Sequence, residues 1–343
     1  MLLSPETAWP EKEWQHADPE ALGFDRAKLM AAGSWQASQA GSTPYRVLIV
    51  RYGSIAAEWN FRIDPLERAK QACASKSTFS CILGIAVKEG IIKSADDPVI
   101  DYYPEMMDVA PGEGPKPGRH AFPENAGITF RQLIGNTSGY MKPGEAPGKV
   151  FNYQTFGMNI LTHAIASAYN LYKTADPERG AGFGTLTEWK VRDRIGGTWS
   201  WEYQNFNLPP EAKLGVYGYF TGYQMTPHDM ARCGLLWLHE GRWNGSEVVP
   251  AEWMRQVTRV NDDVLANEPE ENQRYGLGFW CNDRGRMWPG LPRDSFAASG
   301  NGKQHIWVCP SLNLVVVRSP GTYEQEDPAQ GGRLLELIAE AAR

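Results

Sequence analysis

The feature that most constrains how this chain can fold is the position of its strand signals, which lie toward the two ends. "YRVLIVRYGSIAAEWNF" at 45–61 gives two apolar runs parted by Gly53 and Ser54, the composition of a tight hairpin turn. Strand-like runs return only late, in "YGLGFW" (275–280), "HIWVCP" (305–310) and "NLVVVRS" (313–319). Between them, from about 91 to 225, the sequence reads as helical and loop-rich, with Pro- and Gly-dense surface loops or a lid at 110–127 and 175–189. The economical topology is one sheet assembled from both chain ends around a long insertion. The expected division is a sheet domain of residues 1–86 and 226–343, with a helical subdomain of residues 87–225 that carries loop insertions.

Helix signals flank these strands. "FDRAKLMAAGSWQAS" (24–38) has amphipathic spacing, and "GGRLLELIAEAAR" closes the chain. Phe79, Ile82, Leu83 and Ala86 recur at i, i+3, i+4 and i+7, which predicts a helix with one buried face that stops near Gly90. In "TPHDMARCGLLWLHEG" (226–241) Thr226 is placed to cap, Pro227 occupies the first turn, and Asp229 completes a capping-box spacing. His228 is then accounted for by helix structure, without chemistry.

Composition narrows the function classes. With 34 basic and 40 acidic residues the net charge is −6, which offers no basic face for a phosphate backbone, so no nucleic-acid partner is expected. No stretch approaches the roughly 18–20 apolar residues of a membrane span, and the N-terminal "MLLSPETAWPEKEW" lacks the basic flank of a signal peptide. The expectation is a cytoplasmic protein acting on a small molecule, its oligomeric state left open. Five cysteines without a CxxC pair argue against a disulfide framework and a zinc site. His16, His120, His163, His239 and His305 form no metal-ligand spacing, so neither metal nor organic cofactor is expected.

The chemistry-bearing stretch is "QACASKSTFS" (71–80). Cys73 and Lys76 stand at i and i+3, on one face of a helix near its N-terminus. There the backbone dipole and an adjacent ammonium both favour a thiolate, the pairing an activated nucleophile needs. Ser75 and Ser77 have no lysine three residues later and read as first-turn residues that satisfy free backbone groups.

"CASKS" followed by "GIAVKEG" resembles the S-x-x-K segment of the serine β-lactamase and penicillin-binding-protein superfamily. Further blocks resemble that superfamily in the same order: "GITFRQLIGNTSGY" (127–140), "PGKVFNYQTFGMNIL" (147–161), "GYQMTPHDMARCGLLWLHEGRWNG" (222–245) and "FAASGNGKQHIWVCPSLNLVVV" (296–317). The nearest branch is that of class C β-lactamases, esterases and 6-aminohexanoate-dimer hydrolase. The resemblance implies an α+β fold, an antiparallel sheet flanked by helices with an inserted helical subdomain, and a cleft at their junction. It implies an acyl hydrolase or transferase working on a small ester or amide through an acyl-enzyme on residue 73. In it Cys73 is the nucleophile, Lys76 the proton acceptor, and Tyr153 the tyrosine of the Y-x-N motif. The backbone N–H groups of Cys73 and Asn301 form the oxyanion hole, and Thr155, Ser299 and Gly300 lie where substrate binds.

Three positions depart from the superfamily pattern: Cys73 replaces serine, Thr155 replaces the Y-x-N asparagine, and Ala298 replaces the lysine of K-T-G. Loss of that lysine removes the group that grips a β-lactam carboxylate, and Lys303 is read as turned to solvent. Three readings of the cysteine stay open at this stage: a thiol nucleophile, a serine hydrolase whose nucleophile has been exchanged for cysteine, and a non-catalytic ligand-binding relative. A Cys73–His305 dyad is disfavoured by strand alternation at 304–306.

Overall fold

In the computed structural model the described residues are 6–320 and 332–343. Residues 1–5 of the N-terminal stretch and Gly331, the first residue of the expected terminal helix, lie outside them. The strands in chain order are β1 (Tyr45–Arg51), β2 (Ser54–Phe61), β3 (Ala69–Lys70), β4 (Ser200–Asn205), β5 (Tyr219–Met225), β6 (Arg242–Trp243), β7 (Ser246–Glu247), β8 (Trp280–Cys281), β9 (Phe296–Gly300), β10 (Gln304–Cys309) and β11 (Leu314–Arg318). The main sheet has the order β2-β1-β11-β10-β9-β8, and its pairings are antiparallel. Both chain ends build it: Leu48 of β1 faces Val317 of β11, and Val50 faces Val315.

Both faces of this sheet are buried, which explains why its central strands read as continuous apolar runs rather than as an alternation. Val47, Ile49, Trp307, Val316 and Leu314 point into one core layer, shared with the Arg26–Ala40 and Gly332–Ala341 helices. Leu48, Val50, Ile306, Val308, Val315 and Val317 point into the other, which holds the Ser75–Lys88 and Pro227–Leu238 helices. The Arg26–Ala40 helix starts where Asp25 accepts the Lys28 N–H, and Leu29, Ala32, Gln36 and Ala40 form its buried stripe. The Pro227–Leu238 helix has the expected capping box, with Thr226 and Asp229 each bonded to the other's backbone. Asp229 also accepts the Thr198 N–H at 2.7 Å, which ties the helix start to the loop before β4.

Four expectations are corrected. "YGLGFW" is not a strand along its length: only Trp280 and Cys281 pair in β8, because Gly278 adopts φ +91°, a conformation that breaks a strand. The 91–225 region is not only helices and loops, since β4 and β5 pair from Ser200–Gln224 to Asn205–Tyr219 and β3 joins them in a second sheet. The expected surface loop at 175–189 contains a helix, Gly182–Thr187, that buries Phe183 and Leu186. The Ser75–Lys88 helix is buried from Ser75 to Ala86 on every face, rather than on one, because its polar positions there, apart from Lys76, are small serines and a threonine. No helix among the described residues is long and apolar enough to cross a membrane.

Candidate active site

The second sheet exists next to the nucleophile for a structural reason. β3 pairs with β5, and the Gln71 N–H donates to the Tyr223 carbonyl at 2.9 Å, so the chain entering residue 73 is fixed on both sides. Ala72 then takes φ +46°, a left-handed conformation that is costly for a residue with a Cβ and is held by these anchors. A short 3₁₀ turn, Ala72–Ala74, leads into the Ser75–Lys88 helix. Cys73 therefore precedes the α-helix proper. Phe79 locks the helix in place, with ring contacts to Phe183, Phe220 and Tyr223 at 5.3, 5.5 and 6.0 Å.

On this platform the Lys76 ammonium donates to the Cys73 sulfur at 3.3 Å. Lys76 is only 1% exposed. Burial lowers its pKa below the usual lysine value, while the neighbouring Cys73 works in the opposite direction. That environment shifts the balance toward the neutral amine, the form able to accept a proton. The Lys76 Nζ also sits 3.8 Å from the centre of the Tyr153 ring. Tyr153 in turn stacks on Trp280 at 5.5 Å and meets Tyr275 edge-on at 5.6 Å, so the ring against the amine is itself held by an aromatic cluster. Burial pushes the Tyr153 phenol well above its usual value, with Tyr275 and Cys73 adding to the effect, so the hydroxyl stays protonated.

Cys73, Tyr153, Ser299, Gly300 and Asn301 line one cleft of about 320 Å³. Gly300 at the end of β9 lies so close to the nucleophile turn that a Cβ there would stand 2.1 Å from the Gln71 carbonyl oxygen and 3.2 Å from the Cys73 nitrogen. Only glycine lets the strand end reach the Cys73 amide. Thr155 is placed differently: it lines an adjoining cavity that shares Tyr153 with this cleft, and its side chain makes no capping bond at the start of the Phe156–Ala168 helix. Neither serine beside the nucleophile serves the first turn as expected. Ser77 donates to the Gly278 carbonyl at 2.6 Å, and the Ser75 hydroxyl is buried without a hydrogen-bond partner among the described residues.

Several cleft residues were not found by sequence reasoning. Trp280 forms a wall, and its only signal was the aromatic density of "YGLGFW". Lys303 is half-buried in the cleft lining rather than turned to solvent, because its own φ of +59° folds the turn back. Arg318 and His305 also line the cleft, bonded to each other at 2.9 Å. His305 is thereby engaged with Arg318, and no bond joins it to Cys73.

The thiols differ sharply. Cys73 is half-buried, while Cys81, Cys233, Cys281 and Cys309 are buried. Burial pushes the Cys81 and Cys309 thiols up to about 12 and those of Cys233 and Cys281 well above the usual range. A disulfide-exchange reagent should therefore titrate one thiol rapidly in the native protein and all five after unfolding. Two or more fast-reacting thiols in the native state would contradict this assignment.

The comparisons with known proteins bear on the family and the fold. A family model described as "Beta-lactamase" matches residues 45–339. An uncharacterized protein of Alkalihalophilus pseudofirmus is 24% identical over 262 residues, covering 72% of each chain. Among solved structures, a Bacteroides dorei protein provisionally named a β-lactamase superposes with a TM-score of 0.67 at 17% identity, over 93% of this chain and 99% of its own. A penicillin-binding-protein homologue from Caulobacter crescentus gives 0.65 at 13% identity, over 96% and 99%, and a family VIII carboxylesterase gives 0.63 at 15%, over 96% and 99%. With an α+β fold of the same kind and a family match spanning most of its length, this chain belongs to the β-lactamase family of hydrolases.

Proposed function

We propose that the protein is an acyl hydrolase or acyl transferase that cleaves small esters, and more slowly amides, through a thioester on Cys73. The observation that carries this reading is the 3.3 Å approach of a buried lysine amine to the one half-buried thiol, at the edge of a cleft. Lys76 takes the thiol proton as the sulfur attacks the substrate carbonyl carbon. The oxyanion is held by the main-chain N–H groups of Cys73 and Asn301. Collapse of the tetrahedral intermediate breaks the bond to the alcohol or amine, which leaves with a proton delivered through Tyr153. Water then attacks the thioester, releases the acid and restores the thiol; another nucleophile in place of water gives transfer.

Ser299 and Gly300 line the substrate channel beside the oxyanion site, and Thr155 borders its far side beyond Tyr153. Thiolate is a better leaving group than an amine's nitrogen, so an amide-derived intermediate reverts more readily than an ester-derived one. Turnover of a p-nitrophenyl ester should therefore exceed that of the matching p-nitroanilide, with a chromogenic cephalosporin poorer still because Ala298 stands where a carboxylate-gripping lysine is expected. Measuring all three with the protein and with Cys73→Ser tests the reading. Inertness of both forms toward all three substrates overturns it in favour of a ligand-binding protein.

A further inference from the structure

The cavity beyond Tyr153 has a character of its own. It measures about 540 Å³, and Lys116, Arg119 and Lys142 line it together with Tyr153, Phe156 and Phe206. Lys142 pairs with Glu145 at 3.7 Å, and the other oxygen of that carboxylate accepts from the Asn152 amide at 2.9 Å. One carboxylate thus stands against three cations in a chain whose net charge is −6. The concentration of positive charge here runs against the overall balance of the protein.

Two of the cations, Arg119 and Lys142, are also held in place. Met141 adopts φ +56°, strained for a side chain of its size. The Asn125 side chain accepts its N–H at 3.1 Å, and the Arg119 guanidinium donates to its carbonyl. That clamp fixes the backbone immediately before Lys142, which is only 7% exposed. Burial lowers the Lys142 pKa, Glu145 opposes this, and the nearby Arg119 and Lys116 charges lower it further. Like charges gathered at a cavity wall repel one another, and an anion placed among them relieves that repulsion.

We propose that this cavity is a substrate subsite for an anionic group, so that the preferred substrates are esters or amides whose chain ends in a carboxylate, with an apolar or flat spacer lying along Tyr153, Phe156 and Phe206. The proposal rests on the acyl-transfer reading for its reaction and on the cavity itself for its charge preference.

The test compares kcat/KM for p-nitrophenyl hemiadipate and hemipimelate against p-nitrophenyl hexanoate and heptanoate, which places the charge on the acyl chain. A second pair, 4-acetoxybenzoate and its methyl ester, places it on the leaving group. The charged member of at least one series is expected to be favoured by about tenfold, with the preference largely lost in 1 M NaCl, where the screening length falls to about 3 Å. Lys116 is exposed, so Lys116→Glu leaves the core intact, and it should collapse the charged-to-neutral ratio; Arg119→Gln should do the same. Calorimetric titration with free adipate runs alongside, with weaker binding expected for Lys116→Glu. Equal rates for charged and neutral esters in both series, together with no saturable adipate binding, overturn the proposal while leaving the acyl-transfer reading intact. If no ester is turned over, that reading falls and adipate binding alone decides the subsite: binding weakened by Lys116→Glu supports it, and binding absent or unaffected overturns it.

Discussion

Replacing Lys76 with methionine is expected to lower kcat/KM for ester cleavage by about 10²–10⁴-fold, the usual contribution of a positioned proton acceptor, without lowering the melting temperature. The two expectations share one cause. The amine is buried against the Tyr153 ring, and the fold lowers its pKa from the ordinary lysine value. Between the lowered value and that of the unfolded chain, about 10.4, the unfolded state binds more protons. Stability from this site therefore grows as pH rises through that window and is diminished below it. Methionine fills similar space with no charge to desolvate, so at neutral pH it is neutral or stabilising. In the parent protein the rate should rise with pH as the Lys76 amine loses its proton, and Lys76→Met should lack that limb. A pH–rate profile and a melting curve on both proteins check this. Near-parental activity in Lys76→Met would remove the amine from the mechanism.

The second large effect is expected at Gly300. A Cβ there meets the Gln71 oxygen at 2.1 Å and the Ala74 nitrogen at 2.8 Å, both backbone atoms that cannot swing aside. Gly300→Ala must push β9 away from the nucleophile turn, at an overpacking cost of about 1–3 kcal/mol. The same shift moves Asn301 relative to Cys73 and spoils any shared grip on an oxyanion, for which an ångström of misplacement costs about a hundredfold in rate. Gly302→Ala is the control. It lies two residues on, with its nearest neighbour atom at 3.8 Å, and so meets only the strain of its φ of +75°. Steady-state kinetics on both variants separate the two. A rate loss at Gly302→Ala as large as at Gly300→Ala would locate the effect in the turn and not in the approach to Cys73.

What the sequence disclosed and what it hid divide along the range of the interactions involved. The hairpin of β1 and β2, the late strands, the capping box at Thr226 and the Cys73–Lys76 spacing are local patterns, legible from a few consecutive residues. β4 and β5 were missed because the segments' mixed polar and aromatic residues give no clean alternation until each is paired. The aromatic cluster beside Lys76 joins Tyr153 to Tyr275 and Trp280 across more than a hundred positions, so nothing local marks it. The same holds for Lys116 and Arg119, which lie in a loop that reads only as Pro- and Gly-rich surface, and for Lys142, which falls between two of the quoted blocks. Lys303 was read as exposed because Gly302 precedes it, whereas the left-handed conformation of Lys303 itself turns the side chain toward the cleft.

The central claim is that the Cys73 sulfur carries the acyl group. It is tested by mixing the protein with p-nitrophenyl acetate, quenching in acid within the first turnovers, digesting with trypsin and weighing the peptide Gln71–Lys76. The account predicts that this peptide gains the mass of one acetyl group in the parent protein, that the gain disappears on incubation with hydroxylamine, and that Cys73→Ala shows none. Turnover of the ester with the acetyl group absent from this peptide, or present on another, would contradict it.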